Sequence, residues 1–280
     1  GSIAQTGIKG GKQSNPSASE TIGVDGGARV KPQLRRSRSV QRSIVYRDHL
    51  IYYRPGTDDV VNIEKILFKG EFCEYRLPHN LQPSVILDAG ANIGISTLYF
   101  KWMWPDAQVI CCEASKNNLE LLHRNTSHLH NVQIVYAGLM GMDGWLRLIL
   151  PPKDTMVGSY AVSKMNEDEK QEPENSLEAL SMTSIMKRAG VSRIDLLKID
   201  IEGSEHDVLM NCPDEILSRI VWIVGEMHGV GAFEILNRLA QWFDIDVKKT
   251  LHKSHYKFNA CNRNNTGQLI QGFKVKRLQA

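Results

Sequence analysis

Three acid-bearing glycine turns and one isolated glutamate carry the chemistry of this chain. The first is Ile86-Leu87-Asp88-Ala89-Gly90-Ala91-Asn92-Ile93-Gly94, an acid at the head of a glycine turn that follows an apolar run. Glycines allow a tight turn and close backbone approach, and a helix after them presents N–H groups and its positive dipole end. The spacing is Gly-x-x-x-Gly, neither the Gly-x-Gly-x-x-Gly of dinucleotide binders nor the Gly-Lys-Ser/Thr of a phosphate loop. A carboxylate-bearing ligand suits it better than a pyrophosphate, and Asp88 repels phosphate while attracting an ammonium or sulfonium. Glu113 follows 25 residues later at the end of the next apolar run, where an acid can accept hydrogen bonds from both hydroxyls of a ribose. Carboxylate, ammonium, sulfonium and ribose together describe S-adenosylmethionine. Its candidate contacts are Asp88, Gly90, Ala91, Asn92, Gly94, Ser96, Glu113, Ala114 and Asp200. A glycine turn alone also suits a plain strand–helix connection; Glu113 in the ribose position favours the ligand.

The second stretch, Leu196-Leu197-Lys198-Ile199-Asp200-Ile201-Glu202-Gly203-Ser204-Glu205, puts three acids in six residues around a glycine. Such acids are costly to bury without partners, so a cation, a proton or a substrate hydroxyl is expected beside them. Glu205 reads as a helix N-terminal acid favoured by the dipole. The third stretch, Val224-Gly225-Glu226-Met227-His228-Gly229, sets Glu226 and His228 at alternate positions of a strand, so both can face one cleft. His228, Glu226 and Asp200 are the candidate catalytic residues, with His228 as general base. The alternative is Mg²⁺ held by Asp200 and Glu202; direct base catalysis is preferred and no metal is assigned. The other eight histidines fall in helices or loops and carry no assigned role.

These residues need a scaffold that delivers strand ends to one edge. From Ser84 onward, apolar runs alternate with helical patterns: strands over 84–87, 108–112, 132–136, 145–150, 194–199 and 220–224, then 245–251 and 269–275. Helices are expected to Met103 after the glycine turn, over 116–124, from a Ser181 or Thr183 cap to Ala189, over 204–210, and over 232–242. The last is expected to turn Phe233, Leu236, Leu239 and Ala240 inward. This alternation predicts a doubly wound, Rossmann-like α/β sheet of about seven mostly parallel strands. Ligands bind such sheets outside the carboxyl ends of the strands, where strand order reverses. Before it, residues 44–46 and 50–53 read as a hairpin and 61–68 as a short helix, packed beside the sheet. Residues 151–175 lack periodicity and read as a long loop or lid.

The chain has 280 residues, 42% hydrophobic and 23% charged, with a net charge of +3. Residues 1–44 carry eight Lys or Arg against Glu20 and Asp25, which leaves the remainder mildly acidic. A disordered basic arm is therefore expected over residues 1–43, with Gly1-Ser2 as a cleavage scar. The domain proper is expected over 44–280. The five cysteines are odd in number and scattered, which argues against a disulfide framework or zinc site and fits a reducing cytoplasm. No run reaches the roughly 18 apolar residues of a membrane span, so a cytoplasmic location is expected.

Together these segments resemble the FkbM family of methyltransferases. The stretches 86–94 and 196–205 look like its two signature motifs, and Glu226-Met227-His228-Gly229 like its Glu-x-His-Gly segment. Arg54-Pro55-Gly56-Thr57-Asp58-Asp59, with Phe68 and Tyr75 after it, is similar to the family's lead-in. The resemblance covers roughly residues 44–250. It implies an S-adenosylmethionine-dependent O-methyltransferase acting on a hydroxyl of a sugar, glycoconjugate or secondary metabolite, with a small-molecule or glycan acceptor. An RNA methyltransferase is the alternative enzyme, motivated by the basic arm but lacking a basic patch interleaved with aromatics in the folded part. A cofactor-binding module without activity is the other, disfavoured by intact Asp88, Glu113, Asp200 and Glu226.

Overall fold

Seven strands form the central sheet of the computed structural model, which describes residues 41–69, 75, 77–78, 80–149, 161–164, 176–229, 231–249 and 255–265. The strands are β3 (Val85–Ala89), β4 (Gln108–Glu113), β5 (Val132–Tyr136), β10 (Leu196–Ile199), β11 (Trp222–His228), β12 (Phe243–Lys249) and β13 (His255–Asn262). Their order is β12-β13-β11-β10-β3-β4-β5. Neighbours from β11 to β5 pair in parallel, whereas β13 runs antiparallel to both β11 and β12. The central strands are apolar at nearly every position because both faces are covered. Ile86 packs on one face and Leu87 on the other, each fully buried, worth about 1.5–3 kcal/mol per side chain.

One face carries α2 (Ile95–Met103) and α3 (Lys116–Thr126), the other α4 (Met182–Ala189), α5 (Glu205–Asn211) and α7 (Ala232–Leu239), with α6 (Asp214–Leu217) a short turn between the last two. Ser181 caps α4 by accepting from the Ser184 N–H, and Gly190 ends it in a left-handed conformation. The expected inward face of α7 is rotated. Ala232, Ile235 and Leu239 are buried, whereas Phe233 is 74% exposed and Ala240 is exposed. Spacings of three and four from Ile235 select the face that meets α5 and β12.

A hairpin, β1 (Arg42–Tyr46) with β2 (His49–Tyr53), precedes the sheet. Asn125 of α3 ties it down, accepting from the Tyr52 N–H at 2.8 Å and donating to the Tyr52 carbonyl at 3.0 Å. Next come α1 (Asp58–Ile63) and a π-helical turn, Glu64–Phe68. Arg54 grips the fully buried Asp59 with two bonds of 2.8 Å. The hairpin starts slightly before the expected point, since Arg42 and Ser43 already pair with Tyr53 and Tyr52. The rest of the expected basic arm lies outside the described residues.

One further expectation changes. A small sheet of order β6-β9-β7-β8 joins Gly138–Leu139, Ser176–Leu180, Gly144–Ile149 and Ala161–Lys164. Residues 161–164 are therefore a strand, not loop; the remainder of 151–175 lies outside the described residues. The last described strand is β13, which is not among the strands expected from the sequence; the expected strand over 269–275 lies outside the described residues. Cys111, Cys112, Cys212 and Cys261 are buried free thiols. Among the described residues no helix is long and apolar enough to cross a membrane.

Candidate active site

Strand order reverses between β3 and β10, and the loops after these two strands face each other across one cavity of about 230 Å³. Its walls include Gly90, Ala91, Asn92, Ser96, Glu113, Ala114, Asp200, Glu202 and Glu226, with Asp58, Asn62 and Lys65 from the α1 segment. Of the residues predicted from sequence, Asp88, Gly94 and His228 are not among the cavity's lining.

Asp88 is fully buried beneath the glycine loop. Its Oδ2 accepts from Ser96 Oγ at 2.6 Å and Thr97 Oγ1 at 2.7 Å, and its Oδ1 lies 3.4 Å from Lys198 Nζ. Lys198 Nζ also donates to the carbonyls of Ala89, at 3.0 Å, and Gly90, at 2.6 Å. The expected contact of Asp88 with a ligand cation is replaced by this pair, because a buried lysine demands the nearest carboxylate. Lys198 stands in a signature motif, yet its function as a clamp on the glycine loop is visible only in three dimensions. Gly94 has φ +89°, and a Cβ there would come within 2.9 Å of Leu122 Cδ1. It lets α2 approach α3. Gly90, at φ +79°, is tighter still: a Cβ would sit 1.9 Å from the Asp200 carbonyl oxygen.

Glu113 lines the cavity but is already engaged. It accepts from the Asn92 and Ser115 N–H groups, each at 2.7 Å, and from Asn118 Nδ2 at 3.0 Å. Burial raises its pKa, while these hydrogen bonds pull the other way. A carboxylate offers about four acceptor positions. Three are used, so in this rotamer Glu113 has one to offer a ligand rather than two. The loop's first N–H groups are also spent internally, those of Gly90 and Ala91 on the Cys112 carbonyl. Asn92 presents a buried Oδ1 that has no hydrogen-bond partner among the described residues. Asn92 (φ +51°) and Glu202 (φ +54°) are left-handed non-glycine residues that both line the cavity, as strained backbone tends to do at functional sites.

The second half of the site gathers around His228. Glu226 and His228, alternate on β11, share a face as expected: His228 Nε2 lies 3.6 Å from Glu226 Oε2 and 3.8 Å from Glu202 Oε2. His228 Nδ1 is 2.9 Å from Glu205 Oε1. Burial disfavours the imidazolium, but the hydrogen bond to Glu205 and the charges of Glu205, Asp200 and Glu202 outweigh it and push the pKa up to about 9. Two participants escaped the sequence. His255 carries no sequence signal that separates it from the other histidines, yet the antiparallel register places it opposite His228, its Nε2 3.3 Å from Glu226 Oε2. Glu205 caps the turn as a helix N-terminal acid should, but it is also wholly buried against His228. Lys257 Nζ lies 3.6 Å from Glu226 Oε1. Two sets of donor atoms cluster within 4.8 Å, Asp200–Glu202–His228 and Glu226–His228–His255. Either could receive a divalent cation, so the alternative metal ligands Asp200 and Glu202 remain adjacent with His228 as a third.

The sequence profile of the methyltransferase FkbM domain matches residues 88–258, more than half of the chain. The chain belongs to the FkbM methyltransferase family. Methyltransferase sdnD of Sordaria araneosa is 28% identical to this FkbM protein over 240 residues, 71% of this chain and 92% of its own length. The 31-O-demethyl-FK506 methyltransferase FkbM of Streptomyces tacrolimicus is 25% identical over 185 residues, 56% of this chain and 71% of its own. The crystal structure of methyltransferase FkbM from Methylobacillus flagellatus KT is 14% identical, with a TM-score of 0.45, covering 71% of this chain and 47% of that one.

Proposed function

We propose that this FkbM protein uses S-adenosylmethionine to methylate a hydroxyl of a sugar, glycoconjugate or secondary metabolite. The observation that carries the reading is that one cavity holds both halves of such a site: Asn92 and Glu113 on one side, Asp200 between, Glu226 on the other. The name of the Streptomyces tacrolimicus relative, which places an O-demethyl compound before that enzyme, supports oxygen as the acceptor atom.

The cavity fits the cofactor. The unpartnered Asn92 Oδ1 is an acceptor awaiting a donor, which an ammonium or a ribose hydroxyl supplies. The remaining acceptor position of Glu113 suits a ribose hydroxyl. The carboxylates lining the cavity suit a ligand that carries a sulfonium charge. When bound, S-adenosylmethionine supplies a methyl group already activated for transfer. The protein's part is to orient the acceptor oxygen and to remove its proton. Holding the hydroxyl in line accounts for much of the barrier. His228 Nε2 accepts from the hydroxyl and takes its proton as the oxygen attacks the methyl group, Glu226 orients and polarises the pair from beside Nε2, and Asp200 lines the transfer point. A neutral imidazole matches this task better than a carboxylate, because its basicity lies nearer that of the group it must deprotonate. The position of His228 Nε2 beside the Oε2 atoms of Glu226, which lines the cavity, and of Glu202 supports this role.

Calorimetry with S-adenosylhomocysteine tests the cofactor half, with an expected dissociation constant of about 1 μM, or roughly −8 kcal/mol. Heat with NAD or ATP and none with S-adenosylhomocysteine would sink the reading. A panel of hydroxylated acceptors, with RNA alongside, tests the other half through release of S-adenosylhomocysteine. Turnover on RNA alone would transfer the protein to the nucleic-acid class.

A further inference from the structure

We propose that Glu205 is the positioning residue of this site, holding Nδ1–H of His228 so that Nε2 is the basic atom presented beside Glu226. The inference rests on the base role proposed for His228 and adds to it a residue that chooses the tautomer.

Glu205 is the first residue of α5, and acids in that position are usually solvent-facing partners of the helix dipole. This one has no exposed surface. Its Oε1 accepts from the Ile201 N–H at 2.9 Å and its Oε2 from the Gly203 N–H at 3.0 Å. Two backbone donors therefore fix the carboxylate before the histidine is considered. Gly203, at φ +107°, makes the turn that folds Glu205 back towards the end of β11. Dipole stabilisation alone requires neither that burial nor the third contact, 2.9 Å to His228 Nδ1.

The chemistry of that contact is directional. An ionised carboxylate only accepts, so the proton between the two groups sits on Nδ1 whether the ring is neutral or charged. The proton that the ring loses and regains is then the one on Nε2. Nε2 is the nitrogen that lies near the Oε2 atoms of Glu226 and Glu202. The groups facing the ring are Asp200 and Glu202 from the loop after β10, Glu205 from α5, Glu226 from β11 and His255 from β13. Of the carboxylates whose contacts place them beside the ring, Glu205 alone touches Nδ1. The logic is that of the acid in a serine-hydrolase triad, which orients an imidazole and sets its tautomer without itself taking the proton.

The test uses the full chain with ¹⁵N-labelled histidine, the His228 signals being assigned by their loss in His228→Ala. Above the imidazole's titration the neutral ring is expected as the Nδ1–H tautomer, with Nε2 showing the shift of an unprotonated nitrogen. A neutral Nε2–H ring in the unaltered protein would overturn the proposal, and this measurement requires no variant at residue 205. In Glu205→Gln the side-chain amide can donate to Nδ1, so the Nε2–H form is expected to appear. Turnover should then fall by about 10²–10⁴-fold, the range of general-base catalysis, with the KM for the acceptor and the affinity for S-adenosylhomocysteine nearly unchanged. A Glu205→Gln protein that keeps the Nδ1–H tautomer would equally overturn it. If His228→Ala keeps full turnover while the tautomer is as stated, the base role fails and the positioning of the ring by Glu205 stands.

Discussion

The rate of methyl transfer should follow the ionisation of His228, and the structure sets where. Burial of the ring opposes its charge, but the Glu205 hydrogen bond and the carboxylates of Glu205, Asp200 and Glu202 raise the pKa from 6.5 to about 9. With that value the neutral ring makes up about 1% of the protein at pH 7, about 10% at pH 8 and half at pH 9. If His228 is the base, kcat/KM for the acceptor rises about tenfold between pH 7 and pH 8 and levels off above about pH 9. The same proton contributes to folding stability. Because the folded value lies above the ordinary one, that contribution is complete below about pH 6.5 and lost as pH rises through about 9. The assay is release of S-adenosylhomocysteine across pH 6.5 to 9.5, with His228→Ala in parallel. The variant should lose the limb and run about 10²–10⁴-fold slower at the plateau. A flat profile in the unaltered enzyme, or a limb with the same midpoint in the variant, would refute the base role.

Other outcomes follow from the same geometry. Glu113→Ala should weaken S-adenosylhomocysteine binding by about 10- to 100-fold, the worth of one hydrogen bond to a charged group; unchanged calorimetric affinity would remove Glu113 from the cofactor site. Asp88→Ala leaves Lys198 buried without its carboxylate and should cost about 3–5 kcal/mol in urea unfolding. A near-neutral result would mean that the pair is not the clamp described. Gly90→Ala drives a Cβ into the Asp200 carbonyl and should abolish cofactor binding while costing at least about 1–3 kcal/mol of stability. Treatment with EDTA should leave turnover intact. Loss of activity that Mg²⁺ or Zn²⁺ restores would instead make Asp200, Glu202 and His228, or Glu226, His228 and His255, metal ligands.

Local pattern determined much of this protein before any folding was known. Apolar runs ending in Asp88, Glu113, Asp200 and Glu226 announced buried parallel strands with acids at their carboxyl ends, because a strand covered on both faces has no polar alternation to obscure it. Ser181 and Gly190 marked the limits of α4 through backbone chemistry that needs no distant partner. What escaped were properties that depend on residues far apart in the chain. β13 alternates polar and apolar side chains as a half-buried strand does, but the place of His255 opposite His228 depends on register with β11. Asp88 looked like a ligand contact, but Lys198, more than a hundred residues away, claims it. Glu205 had the right address at the head of a helix, yet its burial depends on the turn at Gly203 and on the end of β11. A short-range signal can place a charge at the end of a strand; only the packed structure decides which neighbour that charge must satisfy, because the cost of leaving it unpaired is incurred only once water is gone.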